Sequence, residues 1–254
     1  MKEARWLVTL LLTALVLLAC ARAHVEITPD PELLKKAEAG DAKAQTEIGK
    51  SYIQPGLREG SISAQDLNQA AAWFTKAANQ GDATAQFWLG TILTLPHRGR
   101  WHVVSQDDKQ AVDDKQAVDD KQAVAWFTKA ANQGYAPAQR DLGVMYQNGL
   151  GVPQDDKQAV VWYSKAANQG NAPAQRALGT MYVAGQGVAQ DLVTGCAWIY
   201  VAQDFGSDRT WSDNAGFTTN KAAVCDAQLT SAQKDKALAM KDEIVKKIAA
   251  QKGH

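Results

Sequence analysis

The sequence predicts an all-α protein, an α-solenoid of about four helix-turn-helix units closed by a C-terminal helical cap, and three observations carry that expectation. The phrase KAANQG closes three segments, at Lys76 to Gly81, Lys129 to Gly134 and Lys165 to Gly170, and 36 further residues lead from Gly170 to Gly206, the end of the degenerate copy VAQDFG. Glycine and proline divide each unit into two helical segments. Within those segments apolar residues recur at the i, i+4, i+7 spacing of one helix face. A two-helix unit of this size cannot bury both its stripes alone, so the copies must stack.

Residues 1–23 have the features of an export signal. Lys2 and Arg5 give a basic start, WLVTLLLTALVLLA (Trp6 to Ala19) is an apolar run too short to span a bilayer comfortably, and ARA (Ala21 to Ala23) places small residues where a signal peptidase cleaves. A second reading is a lipid anchor on Cys20, because LLAC (Leu17 to Cys20) resembles a bacterial lipobox. Leu18 is the less usual residue there, which favours soluble release. A third is an uncleaved anchor helix. Residues 24–39 lead into the first helix, and the array follows over 40–206, with units at 40–80, 81–133, 134–169 and 170–205.

The third unit, GYAPAQRDLGVMYQNGLGVPQDDKQAVVWYSKAANQ (Gly134 to Gln169), shows the punctuation most clearly. Pro137 suits the first turn of helix A, where its missing N–H has no partner to lose, and Gly149 suits the left-handed residue just past that helix. The turn GLGVPQ comes next. Asp155 or Asp156 then caps helix B by accepting from its orphan N–H groups, and Gly170 ends it. Ala138, Leu142, Met145 and Gly149 form the stripe of helix A, and Ala159, Trp162, Tyr163 and Ala166 that of helix B. Gly143 and the alanines allow close backbone approach. Trp73, Trp126, Trp162 and Trp198 recur at one position of helix B, which predicts a core role for them rather than a sugar-binding platform.

The second unit contains a hexamer three times over, DDKQAVDDKQAVDDKQAV from Asp107 to Val124. Six residues rotate a helix by ~600°, equivalent to ~240°, so consecutive copies cannot turn one face to the same neighbour. Asp119 to Val124 aligns with Asp155 to Val160 and is the copy expected to pack. Residues 107–118 then extend helix B as a charged spur or lie in a loop. The spur is favoured, since no glycine or proline interrupts the run.

Residues 207–254 break the pattern and form the cap. One helix is expected around Asn220 to Gln228, and a last one in LTSAQKDKALAMKDEIVKKIAAQ, where Thr230 with Gln233 makes a capping box. Leu238, Ile244, Val245 and Ile248 offer that helix an apolar face. With Cys20 at the processing site, Cys196 and Cys225 remain as a pair for an oxidising compartment, either bridged or as two separate buried thiols. A bridge would fasten the cap to the fourth unit and contribute ~3–4 kcal/mol on the chain-entropy account.

The pattern Ala-x-x-x-Leu-Gly-x-x-Tyr-x-x-Gly-x-Gly-Val, followed by Asp-x-x-Lys, Ala-x-x-Trp-Tyr-x-Lys-Ala-Ala-x-Gln-Gly, resembles the Sel1-like repeat, a relative of the tetratricopeptide repeat. The third unit matches it almost throughout, with Gln158 between Lys157 and Ala159. The first and second units depart from it in IQPGLREGSISAQ (Ile53 to Gln65) and LTLPHRGRWHVVSQ (Leu93 to Gln106), each five residues longer than the third unit's turn. The resemblance implies a bacterial scaffold or adaptor that presents a grooved surface to other proteins, with helix A lining the concave side.

Composition narrows the function. Lys plus Arg and Asp plus Glu are 27 each, so the chain lacks the one-signed field that draws proteins onto nucleic acid. No cofactor is expected, and no metal: His97 and His102 sit five apart in a turn without signposted third and fourth ligands. Ser231 to Lys234 fits Ser-x-x-Lys and Ser212 to Asn214 fits Ser-Asp-Asn of penicillin-recognising enzymes, but their order is reversed and no Lys-Thr-Gly follows. Catalytic residues are therefore expected to be none.

A partner surface is expected at the helix A positions away from the apolar stripe: Thr46, Lys50 and Ile53; Phe87, Thr91 and Thr94; Arg140, Val144 and Gln147; Arg176, Thr180 and Val183. Phe87 stands foremost, because an apolar ring at an otherwise polar position asks for a partner. Trp101 and Trp211, outside the repeat pattern, are further interface candidates. The expected function is a non-catalytic protein–protein interaction scaffold of the bacterial periplasm or envelope, secreted or held by lipid on Cys20, binding a protein or peptide in the groove. The alternative is a protein that binds or hydrolyses cell-wall material or β-lactams.

Overall fold

The computed structural model describes residues 29–59, 62–94, 109–205 and 221–252. The export segment with Cys20, the turn with His97, Trp101 and His102, and Trp211 through Asn214 lie outside the described residues.

Within them the chain is helical throughout: α1 (Pro31–Glu38), α2 (Ala42–Glu59), α3 (Ala64–Asn79), α4 (Ala83–Thr94), α5 (Lys109–Asn132), α6 (Ala136–Asn148), α7 (Asp156–Asn168), α8 (Ala172–Ala184), α9 (Leu192–Phe205), α10 (Lys221–Gln228) and α11 (Ser231–Lys252). Helices α2/α3, α4/α5, α6/α7 and α8/α9 are the A/B pairs, and each helix up to α9 packs on its neighbours in chain order. The array and its cap are therefore an α-solenoid.

The expected punctuation sets the helix ends. Gly149 and Gly185 adopt φ of 68° and 69° beyond α6 and α8, each donating its N–H to a methionine carbonyl. Asp155 caps α7 by accepting from the Gln158 N–H at 3.0 Å. Two elements differ from expectation. Residues 31–38 form a helix of their own, with Pro31 at its start and Asp30 accepting from the Glu32 and Leu33 N–H groups at 2.9 Å. Helix α2 continues through Pro55 to Glu59, so part of the long first turn is helical.

The cores run through each unit and on into the next. Phe127 of α5 meets Ala138, Leu142 and Met145 of α6, with Trp162 of α7 packed against them. Phe74 of α3 meets Ala85 and Leu89 of α4, with Trp126 outside, and Tyr163 of α7 meets Ala174, Leu178 and Met181 of α8, with Trp198. Gly49, Gly90 and Gly143 of helix A let these rings come close. A Cβ on them would lie 2.5, 2.6 and 2.7 Å from Phe74, Phe127 and Tyr163. The tryptophans keep equivalent surroundings, as expected, and Trp198 is buried in the core, but in the first three units the full core position belongs to the next residue, Phe74, Phe127 or Tyr163. Trp73, Trp126 and Trp162 are half-buried, with Lys76, Lys129 and Lys165 at 4.0, 4.1 and 3.9 Å from their ring centroids.

The hexamer question resolves at Ala123, which is 0% exposed, and at Asp120, which is buried beside it. The third copy packs. Helix α5 runs unbroken from Lys109, so the surplus residues from there on continue helix B.

The cap begins with the expected box: the Thr230 N–H donates to Gln233 Oε1 at 3.0 Å, and the Gln233 N–H to Thr230 Oγ1 at 3.4 Å. Helix α11 lies along α9. Gln233 stands by Leu192 at the start of α9 and Lys241 pairs with Asp204 near its end, at 2.8 Å, so the two helices run the same way. Neighbouring repeat helices run oppositely, which is why the cap ends the array. Cys196 and Cys225 are bridged, 29 residues apart and both buried.

Candidate interaction surface

Each helix A repeats a constant frame. Alanine stands at 44, 85, 138 and 174; isoleucine or leucine at 48, 89, 142 and 178; glycine at 49, 90, 143 and 179. One further constant position went unrecognised in the sequence reading. Gln45, Gln86, Gln139 and Gln175 are buried, and each donates its side-chain N–H to a carbonyl of the preceding helix: Ala37, Ala78, Ala131 and Ala167, at 2.9, 3.2, 3.0 and 3.0 Å. The first three accept in turn from Gln80, Gln133 and Gln169 at 2.8, 2.8 and 2.7 Å. The signal was present in the recurring AQ and NQG pairs. In the fourth unit Phe205 replaces that donor, and Gln175 Oε1 is buried without a hydrogen bond.

Against this constant frame the proposed surface positions vary, and the structure brings them to different depths. Thr46 is buried and donates to Asp82 Oδ1 at 3.1 Å, tying the first unit to the second. Thr91 is buried as well, its hydroxyl donating to the Phe87 carbonyl at 3.0 Å; Ile53 and Thr94 are also buried. The Phe87 ring already has partners in the chain, Tyr135 at 5.4 Å, Trp88 at 5.6 Å and Phe127 at 6.0 Å between centroids. Lys50, Val144, Gln147, Thr180 and Val183 are half-buried, as are Arg140 and Arg176.

The electrostatics of the row differ between units. Lys50 pairs with Glu47 at 2.6 Å, and Arg140 pairs with the buried carboxylate of Asp141. In the fourth unit Ala177 stands where Asp141 would be, and Arg176 has no ion pair among the described residues. Gln147 Oε1 accepts from the Tyr163 hydroxyl at 2.8 Å. Burial holds that phenol well above its ordinary value, against the lowering field of Arg140.

Among the described residues no three His, Cys, Asp or Glu side chains gather as a metal site. Lys234 of the Ser-x-x-Lys match is engaged by Asp226 at 2.6 Å, and Ser231 opens α11 as an exposed residue. No helix there is long and apolar enough to cross a membrane.

The family described as Sel1 repeat matches residues 42–82, 83–113, 114–135, 136–171 and 172–200. The break between 113 and 114 falls inside α5, so the second and third matched segments are one structural unit, divided by the surplus hexamers. Among solved structures, a Sel1 repeat protein from Oxalobacter formigenes is 30% identical with a TM-score of 0.53, the alignment covering 68% of this chain and 61% of that one. The protein c5321, a protective antigen present in uropathogenic Escherichia coli strains displaying an SLR fold, is 28% identical with a TM-score of 0.49, over 86% of this chain and 48% of that one. The chain thus spans roughly half to three-fifths of the length of these two proteins.

Proposed function

Because the chain belongs to the Sel1 repeat family, whose stacked helix pairs are typical of protein–protein interaction scaffolds, we propose that it is a non-catalytic adaptor of the bacterial periplasm or envelope. It binds a partner protein or peptide along the row of helix A. One observation carries the reading: positions that hold the stack keep the same residue type from unit to unit, while half-buried positions of the row vary, with Lys50, Val144 and Thr180 at one position and Gln147 and Val183 at another. A repeating frame with a varied face is how an array presents a specific surface. The buried Cys196–Cys225 bond belongs to an oxidising compartment, which supports export.

The test uses charge reversal at the two ends of the row. Lys50→Glu and Arg176→Glu, with melting temperatures checked, are compared with the wild type in capture from a periplasmic extract. Loss of a wild-type partner in either variant supports the reading, and unchanged capture of every partner contradicts it. Turnover of a chromogenic β-lactam, abolished by Ser231→Ala, would overturn the non-catalytic assignment.

A further inference from the structure

Two turns of this chain are ligands of the unit before them. Gly151, at φ 67°, lies so close over the middle of α5, where the packed hexamer begins, that a Cβ on it would fall 2.5 Å from the carbonyl carbon and oxygen of Asp120 and 2.7 Å from the Lys121 nitrogen. Gly187, at φ 65°, sits in the same way on Asp156 and Lys157 at the start of α7. Each is the second glycine of a Gly-Xaa-Gly-Val turn. No other side chain fits there, because the contact is backbone on backbone.

The 36-residue step carries Asp156 and Lys157 to Leu192 and Val193, at the start of α9. There Leu192 and Val193 line an open hollow of about 600 Å³ with Tyr182, Val188, Gln190 and Gln233. The hollow's walls match the seated socket before it: Tyr182, Val188 and Gln190 stand where the third unit has Tyr146, Val152 and Gln154. The difference is at the floor, where the charged Asp156–Lys157 pair gives way to the apolar Leu192–Val193 pair. The cap explains the vacancy. Among the described residues α11 runs in the direction of α9 and covers that helix with its side, and no A–B turn lies over its start.

We propose that this hollow is a docking socket for a glycine-Xaa-glycine turn followed by an aliphatic residue, presented by a partner protein. The two seated turns define what fits, since both are Gly-Xaa-Gly followed by valine, and Asp191 and Ala189 complete the lining of the hollow. A second copy of this chain is not the occupant, since its only Gly-Xaa-Gly turns, Gly149 to Gly151 and Gly185 to Gly187, are seated in its own stack. The socket is separate from the helix A row, so either surface can fail without the other.

The test is a heteronuclear NMR titration of the full isotope-labelled chain with a cyclic peptide carrying Asn-Gly-Leu-Gly-Val-Pro-Gln, the sequence of residues 148–154. The expected result is saturable shifts at Leu192, Val193 and Gln233, with affinity reduced about tenfold or more when the peptide's second glycine is alanine. Ala189→Trp, which fills the hollow from an exposed turn position, is expected to abolish them. The alanine peptide, which leaves the protein unaltered, decides the matter should the tryptophan lower the melting temperature. Equal binding of the alanine peptide, shifts confined to the helix A row, or no shift at several millimolar peptide would each overturn the proposal. So would concentration-dependent self-association that moves the same resonances without peptide.

Discussion

Gln169 donates to Gln139 at 2.7 Å, and Gln139 donates to the carbonyl of Ala131 at 3.0 Å, so one buried amide joins three successive helices. Replacing it with leucine strips the Gln169 amide of its acceptor and the Ala131 carbonyl of a donor, at a cost of about 1–2 kcal/mol. Gln175→Leu deletes an acceptor that is already unpaired, so its cost is expected to be smaller by about 1 kcal/mol. Chemical denaturation of the two variants side by side checks the ordering.

Gly149 and Gly151 separate backbone strain from docking. Both have left-handed φ, and alanine at either costs about 1 kcal/mol of strain. Only Gly151 lies on the preceding unit; the nearest atom to a Cβ on Gly149 is 3.4 Å away, within its own turn. Gly151→Ala is therefore expected to lose about 1–3 kcal/mol more than Gly149→Ala, in the range of overpacking a tight contact. Thermal melts of both variants measure the difference.

The hexamers make a deletion series with a sharp step. Removing one or two copies still leaves a DDKQAV in the packed position, because every such deletion yields the same sequence there. Stability is expected to change by less than about 0.5 kcal/mol, as for a surface change. Removing all three takes out Asp120 and Ala123, the residues under Gly151 and within the second layer, and is expected to break the array. Circular dichroism melts of the series distinguish the two regimes.

The cap carries the pH dependence. Burial, with the hydrogen bond and negative field of Asp226 behind it, pushes the Tyr200 phenol from 10.0 up to about 12. A raised folded value means that its contribution is complete below pH 10.0 and is lost as pH rises through about 12. Asp226 has the opposite sign: hydrogen bonds from Lys234 and Tyr200 hold it below 3.8, so its contribution is present above that pH and is lost as pH falls through the lower folded value. Melting temperature is expected to be flat between these windows. Tyr200→Phe is expected to reduce the alkaline loss, leaving the part due to buried Tyr163.

Much of this architecture was legible because it rests on local rules. Gly149, Pro137, Asp155 and the Thr230–Gln233 box have single-residue reasons for their places, and the hexamer register followed from helical rotation together with the alignment of Asp119 to Val124 on Asp155 to Val160. What could not be read was depth. Thr46 and Phe87 share one helix position, yet one hydroxyl is tied to Asp82 while the ring rests on Tyr135, a residue of the next unit. Their surroundings depend on how adjacent layers approach, which no single unit encodes. Likewise the tryptophans were legible as a repeated position but not as half-buried plates beneath lysine. The socket at Leu192 becomes visible only when the seated turns show what is missing.

Each layer of the array is held chiefly by the layers beside it. Hydrogen exchange resolved along the backbone of the Gly151→Ala chain tests this most directly. Faster exchange in α5, α6 and α7, with α1, α2, α9 and α11 keeping wild-type protection, is the predicted result. Equal loss of protection in every helix, as in a single cooperative globule, would contradict it.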